Sequence, residues 1–175
     1  MTSVSLLESQ FIGWLHEHRN ILLKVAGSFA TEPAEQAELF QDMTIELWRS
    51  LPKFKGDSKA STWIYRVCLN TALTWRRSER KRQSTQTPLE LAPELACASP
   101  GPGRIHEKDE IMQQLFQHIH SLPRTERSLV ILLLDGLSYR EIGTITGLSE
   151  THVGVALSRI RRKLGESMKE VRREF

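Results

Sequence analysis

The stretch from 138 to 164, SYREIGTITGLSETHVGVALSRIRRKL, constrains the fold of this chain more than any other. Ser138 with Glu141 three residues later forms a capping box, which predicts the start of a helix. Gly147 suits the left-handed conformation that ends a helix, and Ser149 can cap a second one. In this second helix apolar residues recur at three- and four-residue spacing, which predicts one buried face: Val153, Leu157, Ile160 and Leu164.

Together the two patterns form a helix-turn-helix motif, whose second helix enters the major groove of DNA. Gly143 is small where the two helices would cross closely. The same periodicity would also fit an ordinary helical hairpin. The basic end of the second helix, from Arg159 to Lys163, favours DNA binding over that alternative.

The composition excludes several classes of protein. A chain of 175 residues with a net charge of +3 allows one domain or two small ones and is only weakly basic. Its two cysteines, Cys68 and Cys97, have no metal-ligand spacing, so no metal or cofactor site is predicted. The N-terminus lacks the features of a signal peptide, and no uncharged apolar run reaches the length of a membrane helix. These features predict a cytoplasmic protein.

Two amphipathic helices are predicted in the N-terminal part, over residues 5–30 and 34–51. The second is acidic, since no Lys or Arg occurs between Lys24 and Arg49. A solvated acidic face is one interpretation, and a docking surface for a basic partner is the other. Trp48 favours the docking surface, because tryptophan is enriched in binding hot spots.

A third helix is predicted from Thr62, with sequence TWIYRVCLNTALTWRRSERKR. One of its faces is apolar. Another face carries an aromatic ring, guanidinium groups, an amide and a hydroxyl at three- or four-residue spacing, in Trp63, Arg66, Asn70, Thr74 and Arg77. Such groups suit unstacked bases and phosphates. The helix ends in a basic run that includes Arg76, which alone would indicate only a solvated helix end.

Between the two parts, prolines and glycines make a regular helix improbable over residues 83–107. This segment is therefore predicted to be a flexible linker. The predicted fold class is all-α, with two small helical domains at residues 1–82 and 108–175, the second containing the helix-turn-helix.

Three segments of the chain resemble the extracytoplasmic-function group of bacterial sigma factors in the sigma-70 family. These segments are LFQDMTIELWRSLPKF, FKGDSKASTWIYRVCLNTALTWRR and SLPRTERSLVILLLDGLSYREIGTITGLS. The resemblance covers nearly all of the chain and implies a non-catalytic subunit that joins RNA polymerase core to promoter DNA. It leaves open whether an anti-sigma factor also binds.

The resemblance implies three sites. The second helix would dock on a coiled coil of the largest polymerase subunit through Gln41, Asp42, Glu46, Leu47 and Trp48. The third helix would open the −10 element and hold its unpaired bases through Trp63, Arg66, Asn70, Thr74, Arg76 and Arg77. The helix-turn-helix would read the −35 element through Ser149, Thr151, His152, Val155, Ser158, Arg159 and Arg162. The linker would follow the RNA path of the polymerase.

Two departures from the family pattern affect these sites. Many members carry a Lys-Ser-Arg-like run where this chain has Gly154, Val155 and Ala156. Fewer direct contacts to base edges are therefore predicted here, and recognition is predicted to depend more on phosphate contacts and DNA shape. Ala60 replaces a bulkier side chain of some relatives, which leaves open how much the loop before the third helix contributes to base capture.

Two other functions compete with a sigma factor. A stand-alone helix-turn-helix regulator would bind duplex DNA without polymerase, and would leave the acidic helix and the Trp63 face unexplained. A small nuclease would need carboxylates or histidines clustered around a cleft. The carboxylates of this chain instead follow an amphipathic helix. Co-purification with polymerase core distinguishes the first alternative, and metal-dependent cleavage the second.

Overall fold

The computed structural model describes the backbone of residues 3–82 and 117–171, and the side chains of residues 5–75 and 117–166. The predicted linker, residues 83–107, lies outside the described residues, as do the side chains of Arg76 and Arg77. The described segments contain six α-helices: α1 (Ser3–Phe29), α2 (Pro33–Ser50), α3 (Ala60–Arg82), α4 (Arg124–Leu134), α5 (Tyr139–Thr146) and α6 (Glu150–Val171). Leu51–Lys53 forms a 3-10 helix, and residues 117–121 are also helical.

The three N-terminal helices pack against one another around a shared apolar core. Each contributes the face that its three- and four-residue periodicity predicts. The buried side chains include Leu22 and Val25 of α1, Leu39, Met43 and Leu47 of α2, and Ile64, Cys68 and Ala72 of α3. Burial raises the pKa of the Cys68 thiol to about 12, as expected for a small core residue.

The helix-turn-helix forms as the sequence predicts. The Ser138 hydroxyl accepts the backbone N–H of Glu141 (3.2 Å), and the Glu141 carboxylate accepts the N–H of Ser138 (3.0 Å), which confirms the capping box. Gly147 ends α5 with φ +78°. A Cβ atom at Gly143 would lie 2.6 Å from the Leu148 carbonyl oxygen, so the close approach at this glycine is to the turn.

The two helical parts pack on each other, which the sequence did not predict. Arg127 of α4 is only 7% exposed, and its guanidinium lies 5.5 Å from the centre of the Phe29 ring. It donates to the Ser28 carbonyl oxygen (3.0 Å), at the end of α1, and to those of Leu122 (3.2 Å) and His120. A positive charge at the C-terminal end of α1 is favourable, because helix carbonyls there lack intrahelical partners.

Within the described ranges, every helix is too short or too polar to cross a lipid bilayer.

Candidate nucleic-acid and polymerase interfaces

The exposed face of α3 carries three of the predicted side chains. Arg66, Asn70 and Thr74 are exposed and follow one another at helical spacing. The Thr74 hydroxyl donates within the helix to the Asn70 and Thr71 carbonyl oxygens (3.0 Å each), which fixes its orientation. Asn70 is exposed and presents an amide with two donor hydrogens and an acceptor oxygen to solvent.

Trp63 lies at the edge of the core. Its ring packs on Phe54 of the preceding loop (ring centroids 5.6 Å apart), and Phe54 packs on Trp14 of α1 (4.9 Å). These three residues form an aromatic row that joins the loop to two helices. Trp63 is partly buried, and its indole Nε1 has no hydrogen-bond partner among the described residues. The position leaves only part of the indole available to stack on a base.

The predicted docking residues of α2 divide into exposed and buried side chains. Gln41, Glu46 and Trp48 are exposed, Asp42 is half-buried, and Leu47 is completely buried. The prediction that Leu47 contacts a partner is therefore wrong, because the helical period turns it into the domain core. Trp48 remains 39% exposed and packs edge-on against Phe11 of α1.

Ile45 of α2 is a further exposed residue that was not among the predicted docking residues. It lies one turn from both Gln41 and Trp48 and is 47% exposed. The signal was present in the sequence, because an isoleucine at i+4 from Gln41 and i−3 from Trp48 cannot share the buried face of Leu39, Met43 and Leu47. The exposed surface of Gln41, Ile45, Glu46 and Trp48, with half-buried Asp42, is called the α2 face below.

Helix α6, the second helix of the helix-turn-helix, presents the predicted residues to solvent. Thr151, His152, Val155, Ser158, Arg159 and Arg162 are all exposed, whereas Val153, Leu157 and Ile160 are buried against α5 and α4. Ser149 precedes the helix, and its hydroxyl accepts the backbone N–H of His152 (3.3 Å), as the predicted cap requires.

The same hydroxyl also fixes the imidazole of His152. Ser149 Oγ lies 2.9 Å from His152 Nδ1 while it also accepts the His152 backbone N–H. The cap therefore holds the imidazole in a fixed orientation at the first turn of α6, with Nε2 on the side of the ring away from Ser149.

Charged groups connect the loop before α3 with the start of α5. Lys59 Nζ lies 3.1 Å from the Glu141 carboxylate. The Ser138 backbone N–H, the Ser138 hydroxyl and Lys59 together lower the pKa of the Glu141 carboxyl to about 2. The carboxylate therefore keeps its charge throughout the physiological pH range.

Comparison with known proteins gives matches over both helical parts. The family model of sigma-70 region 2 matches residues 14–82, and that of sigma-70 region 4 matches residues 112–164. The ECF RNA polymerase sigma-E factor of Salmonella typhi is 32% identical over 132 residues, which cover 71% of this chain and 68% of that protein.

Two solved structures share the fold. CnrH in complex with the cytosolic domain of CnrY aligns with a TM-score of 0.65 at 18% identity, covering 93% of this chain and 90% of that one. The sigma factor RpoE of Bartonella quintana, in complex with the anti-sigma factor NepR, aligns with a TM-score of 0.64 at 21% identity, covering 90% and 97%.

Proposed function

Because the chain belongs to the extracytoplasmic-function group of sigma-70 RNA polymerase sigma factors, we propose that it directs polymerase core to one class of promoters. One observation carries this proposal: region 2 and region 4 both match, in the order that promoter recognition needs. A stand-alone helix-turn-helix regulator would need only region 4. Sigma factors contribute no catalytic chemistry of their own, and we propose the same here, with the bacterial cytoplasm as the place of action.

In this proposal α3 binds the −10 element after its strands separate. Asn70 recognises one unpaired base through its amide, and Arg66 binds the backbone beside it. Trp63, held by Phe54, borders the opening duplex with the exposed edge of its ring. Thr74, whose hydroxyl is oriented by the helix, and the basic run that includes Arg76 and Arg77 extend the site along the strand.

In the same proposal, the −35 element lies against α6. Arg159 and Arg162 bind phosphates, and Ser149, Thr151 and Ser158 supply short polar contacts along the same face. His152 presents its imidazole Nε2, and Val155 an apolar surface, to the groove. Since glycine and alanine flank Val155, few side chains reach base edges here, and phosphate contacts contribute most of the affinity.

The α2 face docks on the polymerase core. Its acidic groups, Asp42 and Glu46, lie beside the exposed apolar surface of Ile45 and Trp48. Exposed aromatic and aliphatic side chains next to polar groups are typical of interaction hot spots. An anti-sigma factor is a further partner that we propose, because the similar sigma factor RpoE was solved with the anti-sigma factor NepR bound.

Run-off transcription tests the function directly. Polymerase core would be incubated with the protein and a pool of genomic promoters, and the transcripts sequenced. We expect transcripts from a small set of promoters that share −35 and −10 motifs, and none from core alone. Binding to duplex DNA without any core-dependent transcript would support the stand-alone regulator instead.

A further inference from the structure

We propose that the indole N–H of Trp63 donates a hydrogen bond to a phosphate of the captured −10 strand, and that the free protein keeps this donor buried until DNA binds. The proposal rests on the −10 role of α3 given above. It assigns to Trp63 a polar role that is separate from any contact of its ring with the duplex, because it concerns the Nε1 atom alone.

The Nε1 atom of Trp63 is a buried donor. It is shielded from solvent and has no hydrogen-bond partner among the described residues. An indole nitrogen carries one hydrogen and can only donate, so it cannot exchange roles as a hydroxyl group can. Buried tryptophans usually place this N–H on an acceptor, and a buried donor left unpaired destabilises the folded state. The position of Trp63 therefore calls for an explanation beyond packing.

The aromatic row around Trp63 supplies apolar surface. The Trp63 and Phe54 rings meet at 61° with centroids 5.6 Å apart, and the Phe54 and Trp14 rings meet at 80° with centroids 4.9 Å apart. Both are edge-to-face arrangements, which stabilise aromatic pairs. An aromatic ring is only a weak acceptor of an N–H group. The row therefore holds the indole in place without giving Nε1 a strong acceptor.

Two cations lie beside Trp63 on the surface of α3. Lys59 precedes it by four residues and accepts its backbone N–H (3.2 Å), and Arg66 follows it by three. Residues at these spacings are neighbours on one face of a helix. Both cations are exposed, and their acceptors in α5 are Glu141 and the Thr144 carbonyl oxygen. A cation on either side of Trp63 attracts the phosphates of a strand to this position.

The acceptor is therefore expected to be a phosphate and not a base edge. Asn70, which the proposed function assigns to one base, lies seven residues further along α3, or about 10 Å at about 1.5 Å per residue. Phosphate contacts fix the register of a strand, and base contacts read its sequence. In this division Trp63 positions the strand, and Asn70 recognises a base within it.

Because Nε1 is buried, strand capture includes a movement within the aromatic row. The backbone of Trp63 belongs to α3, which is anchored in the core by Ile64, the next residue. Phe54 belongs instead to the loop before α3, where residues 55–57 are exposed. Displacement of the Phe54 ring would leave α3 in place and change the surroundings of the indole. The Trp63 N–H is then paired in the complex only, which favours the bound state.

This difference between free and bound protein predicts effects of opposite sign. Removal of the N–H alone should stabilise the free protein, because a buried unpaired donor disappears. It should also weaken DNA binding, because a hydrogen bond to a charged group disappears. A tryptophan that only packs in the core would change stability and binding in the same direction.

An isostere of tryptophan tests the proposal. In benzothienylalanine a sulfur atom replaces the N–H group while the bicyclic ring keeps its shape. We expect this replacement at position 63 of the full chain to raise the melting temperature by at least about 2 °C. With polymerase core, it should weaken binding to a pre-melted promoter from the run-off experiment about three- to tenfold. The matched control is the same replacement of Trp14, which lies in the same row and has no DNA contact assigned to it. The control should bind the promoter as wild type does.

Methylphosphonate substitution identifies the phosphate. It removes the charge of one phosphate at a time, and would be applied along the non-template strand of the −10 element. At one position the effects of the methylphosphonate and of the Trp63 replacement should not add, since each removes the same hydrogen bond. Additive effects at every phosphate overturn the proposal. So does a Trp63 replacement that binds as tightly as wild type, or one that does not raise the melting temperature.

Asn70→Ala in the same binding assay separates this proposal from the function on which it rests. If Asn70→Ala binds the pre-melted promoter as tightly as wild type does, the −10 role of α3 itself is refuted. If Asn70→Ala binds weakly while the Trp63 replacement binds normally, α3 keeps its role and only the donation from Trp63 is refuted.

Discussion

Among single residues, Val155 has an exposure that packing does not explain. It is 46% exposed in the second turn of α6, between His152 and Arg159 in the sequence. The apolar group that bases present in the major groove is the thymine methyl. We expect Val155→Ala to weaken −35 binding by about 1 kcal/mol through loss of that contact.

Uracil provides the matched control for Val155, because it lacks only the methyl group of thymine. Duplexes with each thymine of the −35 element replaced in turn by uracil would be titrated against both proteins. At one position the effects of Val155→Ala and of uracil should not add, since each removes the same contact. Additive effects at every thymine would show that Val155 reads no methyl group.

Asn70 is the second residue whose role can be isolated. We expect Asn70→Ala to impair transcription from both duplex and pre-melted promoters, because a captured base still needs its hydrogen-bond partner once the strands are apart. The defect should depend on one non-template base. Trp63→Ala should impair duplex promoters more than pre-melted ones. Restoration of Asn70→Ala activity by the pre-melted template would exclude base capture.

Within the helix-turn-helix, two glycines of similar helical position have different surroundings. A Cβ at Gly143 would lie 2.6 Å from a backbone oxygen of the turn, whereas one at Gly154 would be 3.6 Å from the Tyr139 ring, an ordinary contact. We expect Gly143→Ala to lower the free energy of unfolding by about 1–3 kcal/mol. Gly154→Ala should raise it by up to about 1 kcal/mol, through helix propensity. Denaturant unfolding of both variants measures the difference, and equal effects would mean that the turn adjusts freely.

The α2 face has its own test. We expect Ile45→Lys to weaken polymerase core binding by more than about 1 kcal/mol, the usual threshold for an interface residue. Asp42→Lys should act in the same direction. Ile12→Lys is the matched control, since Ile12 is 66% exposed on α1, outside the α2 face. Affinity is measured by association with core under native conditions. If all three variants bind core as tightly as wild type does, α2 is not part of the docking surface.

Local chemistry made these elements predictable from the sequence. Local interactions form the capping box of Ser138 and Glu141 and the turn at Gly147. Because each involves only a few neighbouring residues, its pattern can be recognised without knowing the tertiary structure. Leu47 was misassigned because a family resemblance identifies a helix but not which side chains of that helix reach solvent. Trp63 shows the same difficulty, since its partner Phe54 lies on the preceding loop and only the tertiary structure brings the rings together.

For the whole molecule, the contact between domains could not be predicted in this way. Lys24 and Asp135 are 111 positions apart, and Lys59 and Glu141 are 82 apart. Each is an ordinary surface charge in its own segment, and no periodicity indicates its partner. The burial of Arg127 likewise cannot be recognised from the sequence, because arginine on a helix is usually solvated.

Arg127 provides the prediction at this scale. Its loss would leave the buried carbonyl groups of Ser28 and Leu122 without this donor, at about 1–3 kcal/mol for each group. We expect wild type to unfold in one cooperative transition, and Arg127→Met to unfold at lower temperature in two separable steps. Arg161→Met, which removes an exposed arginine that donates to the Tyr139 hydroxyl, is the control. A single sharp transition in Arg127→Met would show that other contacts couple the domains.

The aromatic row of Trp14, Phe54 and Trp63 gives the molecule an optical signal of its own. Two of its three rings are indoles, and they lie on either side of a phenylalanine that belongs to the loop before α3. Any movement of that loop changes the surroundings of both indoles together. Their fluorescence should therefore follow loop movement in real time without an attached dye, which makes the kinetics of strand capture accessible by stopped flow.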